Sequence, residues 1–140
     1  MCTSRTEESK GRSNCQKEGV CYSLKCQSCP EGTATYVGQT SSTAYVRGGE
    51  HQREYRLHEA GKEGGKKSVM GRHVANEHQG DYTTSWTMTV LSHHLLKTHE
   101  RQVQEAVFIE ELDTLGTLIN TRCEKGADIV SSNALTLNHA

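Results

Sequence analysis

Elements follow one another along this chain as strand, strand, helix, helix, strand, helix. That order predicts an α/β domain: a small three-stranded antiparallel sheet flanked by helices, with a structural zinc site inserted into it. Three observations carry the prediction. Residues 20–25 alternate with Val20, Tyr22 and Leu24 on one side, and residues 84–91 alternate with Trp86, Met88 and Val90 on one side, the period of half-buried strands. Between them lie stretches of helical character. Cys26-x2-Cys29 is answered by His73-x4-His78, the two halves of a tetrahedral metal site. Periodicity does not set the strand order.

Taken in order, residues 34–37 supply the β-branched and aromatic side chains of a second strand, and Gly38 is expected to end it at a sharp turn. Residues 27–32 make a long connection for a plain hairpin, yet the first two strands can still pair and bring Tyr22 and Tyr36 to one face. Ser41, Ser42 or Thr43 can cap a helix running to about Ala60. Gly61, Gly64 and Gly65 mark a loop, and Ser68 can cap a short helix carrying His73 and His78. Residues 97–112 form the last helix, with Val103, Val107 and Phe108 expected inward and Glu105 near the sheet end. Residues 1–14 and 126–140 are polar and aperiodic and are expected to be a disordered N-terminal tail and a polar C-terminal tail, leaving residues 15–125 as one domain.

Composition bounds the rest. With one Trp, one Phe and 33% apolar residues in 140, burial alone gives a thin core, which a metal can supplement. Structural zinc contributes on the order of 10–16 kcal/mol in small finger peptides, against a domain stability of about 5–15 kcal/mol. The stretch between the two ligand pairs is far longer than in a zinc finger, so the ion acts as a staple within a larger domain. The bland alternative is that Cys26 and Cys29 are ordinary thiols and the histidines surface residues. The six cysteines read as thiols and metal ligands of a reducing compartment, with Cys15 a reserve ligand and Cys2, Cys21 and Cys123 bystanders. Nothing approaches an apolar run of membrane length, and the opening residues lack the hydrophobic core of a signal peptide. A membrane partner is therefore not expected. The formal charge of −1 predicts weak intrinsic affinity for DNA, although Arg47, Arg53, Arg56, Lys62, Lys66, Lys67 and Arg72 make a local basic excess. Interspersed Glu50, Glu54 and Glu59 are the expected ion-pair partners along that helix.

The run Tyr36, Val37, Gly38, Gln39, Thr40 is followed by Arg47 and His51, which lie one helical turn apart and share a face. A Tyr, an Arg and a His converging on one surface is chemistry suited to a phosphodiester. From about residue 19 to 121 the chain resembles a GIY-YIG nuclease domain. Val20-Cys21-Tyr22 stands in place of the first triplet, lacking its glycine and isoleucine, and Tyr36-Val37-Gly38 in place of the second. Arg47 and His51 follow at the family's offsets, then Glu105 on a late helix and Asn120 beyond it. Cysteines between the triplets and paired histidines after them resemble the branch found in Penelope-like retroelements.

The resemblance implies a metal-dependent endonuclease, nicking DNA by hydrolysis, with a reverse transcriptase domain of the same element as a further partner and an intracellular, nuclear location. By that resemblance Glu105 holds a catalytic Mg²⁺ or Mn²⁺, Tyr22 and Tyr36 position or deprotonate the attacking water, and Arg47 holds the scissile phosphate. His51 assists proton transfer, and Asn120 orients the phosphate or a catalytic tyrosine. A rival reading is a zinc-stabilised binding module whose nuclease site has decayed. A redox role for Cys26-x2-Cys29 needs a βαβ context that the sequence does not offer.

Overall fold

The computed structural model describes residues 2–3, 14–30, 33–116 and 118–120. Its elements are β1 (Cys2–Thr3), β2 (Glu18–Cys26), β3 (Thr35–Thr43), α1 (Ala44–Glu59), α2 (Val69–Glu77), β4 (Trp86–Ser92) and α3 (Thr98–Asp113), with 3-10 turns at Asn14–Gln16 and Glu63–Gly65. The sheet order is β1-β4-β2-β3. Strands β2, β3 and β4 form the expected antiparallel trio, β2 at its centre. Cys2–Thr3, inside the stretch read as a tail, adds a short parallel strand against Met88 and Thr89. The stretch 126–140 lies outside the described residues.

One face of the trio carries the core. Val20, Tyr22 and Leu24 of β2 meet Trp86, Met88 and Val90 of β4, and the layer above them is Ala44 of α1 with Val69, Met70 and Val74 of α2. Both helix starts are capped as the sequence suggests: Thr43 accepts from the Val46 N–H and Ser68 from the Gly71 N–H. Gly71 lets α2 close on α1, since a Cβ there would sit 2.3 Å from the His58 ring. No described helix is long and apolar enough to cross a membrane.

Two expectations are corrected. Gly38 does not end its strand at a turn; β3 runs through it to Thr43 and passes directly into α1. Its register partner is Tyr22, and a Cβ on Gly38 would lie 2.5 Å from the Tyr22 hydroxyl and 2.6 Å from its ring. The glycine is there for close approach of a side chain rather than for backbone freedom. Helix α3 also turns differently from the expectation. Val103 and Val107 are 39% and 42% exposed, Phe108 is half-buried, and Arg101 and Ile109 are the buried residues.

Arg101 explains that rotation. Its Nε donates to Gln39 Oε1 at 2.9 Å, Nη1 to the carbonyls of Leu95 and Leu96 at 2.9 and 3.1 Å, and Nη2 to Thr98 Oγ1 at 3.2 Å. A buried guanidinium with its donors satisfied fixes the helix on the sheet, whereas two valines set for the interior by spacing alone yield to it. Gly38→Ala tests the close approach. We expect a loss of about 1–3 kcal/mol in denaturant unfolding, the usual effect of overpacking; an unchanged midpoint would show that the Tyr22 ring has room to move.

Candidate functional site

Two sites grow out of the β2–β3 hairpin. The first is a metal cluster at its turn. Cys26 closes β2, Cys29 lies in the connection, His73 projects from α2 and His78 is the residue that ends it. Their ligand atoms all lie within 4.8 Å of one another. Cys26 Sγ is 3.3 Å from His78 Nε2, and Cys29 Sγ is 3.3 Å from both His73 Nε2 and His78 Nε2. A tetrahedral ion with metal–sulfur and metal–nitrogen bonds of about 2.3 and 2.0 Å sets such S···N edges at roughly 3.5 Å. These four residues can hold a metal ion, and the two-thiol, two-imidazole set is consistent with zinc. The His73 ring stands edge-on to Trp86 at 5.4 Å, so the cluster borders the core. Cys15 is disulfide-bonded, so it is no reserve ligand, and the reading of all six cysteines as thiols and metal ligands fails at this residue.

The second site lies on the sheet face under α1. Because Gly38 has no side chain, the Tyr22 phenol crosses it and meets α1. There Tyr22 Oη lies 2.8 Å from His51 Nε2 and accepts from Arg47 Nε at 3.3 Å. Tyr36, two residues before Gly38 and on the same face, packs its ring 6.5 Å from Tyr22 and 6.0 Å from His51. Four residues picked from the sequence therefore converge. Arg47 also reaches Glu50 Oε2 at 2.7 Å and Glu54 Oε1 at 3.7 Å, and Lys67 approaches Glu54 at 3.8 Å. Glu54, expected from the sequence as an ion-pair partner along α1, is one, and it is buried. Its neighbours are two cations, which is how a buried carboxylate is tolerated.

Burial sets the protonation states. It pushes the Tyr22 phenol up to about 12 against the opposing pull of Arg47, while Glu105 and Glu54 add to the rise. Burial, with the Arg47 charge beside it, lowers His51 to about 3. The imidazole is therefore neutral at neutral pH. In the tautomer protonated at Nδ1, Arg47 donates to Tyr22 Oη and Tyr22 donates to His51 Nε2, a chain in which His51 is the proton acceptor.

Glu105 is half-buried on α3 and near enough for its charge to raise both Tyr22 and Cys21. Glu110 and Glu111 on the same helix are exposed. Asn120 is buried against β3. Its Oδ1 accepts from the Val37 N–H and its Nδ2 donates to the Val37 carbonyl, both at 2.9 Å. With Ile119 N donating to Thr35 O at 2.9 Å, it pairs with the edge of β3. Val37 follows Tyr36 in β3.

Read from the sequence, Arg101 and Gln39 have no role of their own, and Glu54 only that of an ion-pair partner on α1. The one available signal was Arg101 standing a helical turn before Glu105. In comparisons with known proteins, no family model, no curated protein and no solved structure matches this chain.

Metal removal gives the test of the cluster. The purified chain should carry one equivalent of tightly bound zinc, and stripping it, or Cys29→Ser, should lower the melting temperature by at least ~10 °C, several kcal/mol for a domain of this size. A metal-free chain that melts at the same temperature would overturn the assignment.

Proposed function

We propose that this chain is a metal-dependent DNA endonuclease of the GIY-YIG type, nicking a phosphodiester bond, with one structural zinc on Cys26, Cys29, His73 and His78. The observation that carries the reading is the hydrogen-bonded group Arg47, Tyr22 and His51, with Tyr36 against it and Glu105 close by. Five residues chosen from the sequence by their mutual offsets lie in one neighbourhood, from two strands and two helices. An ion-pair surface or a plain hydrophobic core has no use for that combination.

The division of labour follows from the chemistry of each group. Arg47 is charged and forked, and its contact with Glu50 is partly exposed, an ion pair worth about 0–1 kcal/mol that a phosphate readily displaces. A phosphate held there lies beside the Tyr22 hydroxyl. His51, neutral and hydrogen-bonded to that hydroxyl, holds the phenol proton toward its own Nε2, which leaves a lone pair of the phenol oxygen to accept a hydrogen bond from an attacking water and orient it. Tyr36 walls the site and helps keep the imidazole in place. Glu105 suits a single hard cation such as Mg²⁺ or Mn²⁺ whose other positions are filled by water and phosphate oxygens. Such a cation, when bound, offsets negative charge developing on the phosphate and favours the ionised phenol.

The proposed DNA partner fits a site whose cations are local: Arg47, Lys67 and the exposed Arg53 and Arg56 lie along or beside α1, whereas the chain as a whole carries −1. A reverse transcriptase domain of the same element, and a nuclear location, belong to this proposal by way of the retroelement resemblance. The rival reading, a zinc-held binding module, shares the metal cluster but gives Glu105 no role.

Glu105→Gln keeps the size and hydrogen-bonding capacity of the side chain and removes the charge. In a supercoiled-plasmid assay with Mg²⁺ or Mn²⁺, nicking should fall at least ~100-fold, while DNA binding in Ca²⁺ persists and Glu110→Gln and Glu111→Gln stay active. Wild-type nicking by Glu105→Gln, or loss in Glu110→Gln instead, refutes the assignment.

A further inference from the structure

The loop between α1 and α2 is seated on α1 by its backbone. Lys62 N donates to Leu57 O at 2.9 Å, and a Cβ on buried Gly65 would collide with the backbone of Leu57 and His58. Ser68 N donates to Gly65 O at 2.9 Å and closes the turn. Lys67 falls inside that turn, so it is held beside the helix. Its ammonium reaches the same carboxylate as the arginine of the Tyr22 group. Lys67 Nζ lies 3.8 Å from Glu54 Oε1, and Arg47 Nη1 lies 3.7 Å from the same oxygen. The two cations are therefore no farther apart than those distances laid end to end. The shared carboxylate side chain is 11% exposed, whereas that of Lys67 is 75% exposed. The neighbouring cations are placed differently. Lys66 turns to Glu63 at 2.9 Å, and Arg56 lies on the opposite side of α1 from Arg47, at ~3.6 residues per turn.

We propose that Lys67 holds a second phosphate of the DNA strand, the one next to the phosphate at Arg47. The proposal rests on the nuclease reading and adds a contact to the same substrate. A phosphate arriving at Arg47 displaces Glu50, whose side chain is 53% exposed and can swing into water. Glu54 is buried and stays. Its charge, so close to Arg47, would repel the phosphate if nothing offset it, and Lys67 is the cation placed to do so. An ammonium has three N–H donors. Glu54 engages one side of it and the exposed remainder is open to an anion. The spacing suits the strand as well. Successive phosphates of one strand rise about 3.4 Å along the duplex axis and lie farther apart than that along the strand itself, so two cations bridged by one carboxylate oxygen match neighbouring phosphates. Lysine acts here as a point charge on the backbone, which positions the strand and reads no sequence.

The full chain in Ca²⁺, where no turnover is needed, is titrated with a duplex oligonucleotide over a range of salt concentrations. Lys67→Gln should reduce the slope of log affinity against log salt by about 1, Arg47→Gln by about 1, and the two together by about 2, as separate phosphate contacts do. Lys67→Arg should restore the wild-type slope, and Lys66→Gln should leave it unchanged. In the plasmid assay Lys67→Gln should raise KM roughly 3–10-fold with kcat within about twofold, the mark of a contact made equally in the ground and transition states. A lysine that serves only as the partner of Glu54 would move the melting temperature and leave the salt slope as it is; that result overturns the proposal. If Lys67→Gln melts low, Lys67→Met keeps the apolar stem over α1, and an unchanged slope in that variant overturns the proposal equally. A chain that nicks DNA while Lys67→Gln keeps the full slope loses the second contact and retains the nuclease reading. A chain that never nicks but loses slope in Lys67→Gln retains the phosphate contact and loses the nuclease reading.

Discussion

The hydrogen-bonded group at the heart of this fold depends on one close approach, the passage of the Tyr22 phenol across Gly38. Any side chain at that position would occupy the space of the hydroxyl itself. With hydrogen there, the ring extends from the central strand over its neighbour and reaches α1, where Arg47 and His51 meet its oxygen. The contact sets the register of β2 against β3 and the seat of α1, which follows β3 without a loop. A tyrosine in a sheet core ordinarily turns its hydroxyl to solvent or to a backbone carbonyl. Here two helix side chains one turn apart take that role, so the packing that stabilises the sheet also assembles the hydrogen-bonded group.

The metal cluster governs the same hairpin from its other end. Cys26 and Cys29 hold its turn and His73 and His78 hold α2, so a bound ion ties the hairpin to the helix that covers the core. This matters in a chain with one Trp and one Phe, where apolar burial is modest and each link between the sheet and its cover weighs heavily. Asn120 and Arg101 secure the remaining sides. One bonds the backbone of the exposed edge strand, and the other fastens the start of α3 to Gln39 and to the loop before it. Neither is a surface ion pair. Both are charged or amide groups with their donors used internally, so their loss should be felt as loss of structure around the site.

Where the sequence was legible, one physical signal dominated. Strands β2 and β4 could be read because their apolar residues alternate and one face is buried, and the α1 and α2 starts because Thr43 and Ser68 cap them. The metal cluster could be read because thiols at C-x2-C and imidazoles at H-x4-H have few other reasons to be so spaced. Gly38 misled because a glycine's use for a turn and its use for close packing look alike in one dimension. Val103 and Val107 misled because α3 has a weak apolar stripe, and a buried arginine, which no hydrophobic pattern announces, decides its rotation. Asn120 was found by its offset from Glu105, but its work on the Val37 backbone is tertiary and shows only in the fold.

On the proposed nuclease reading, the electrostatics of the group suit a resting state. Burial keeps Tyr22 protonated and His51 neutral, so neither carries a charge at neutral pH. Arg47 is the permanent charge, shared meanwhile with Glu50 and Glu54. Tyr22→Phe tests this account most directly, because it deletes only the oxygen on which Arg47 and His51 converge and leaves the ring over Gly38. Plasmid nicking in Mn²⁺ should fall at least ~100-fold with a stability change of only about 1 kcal/mol. Nicking at the wild-type rate by Tyr22→Phe would contradict it.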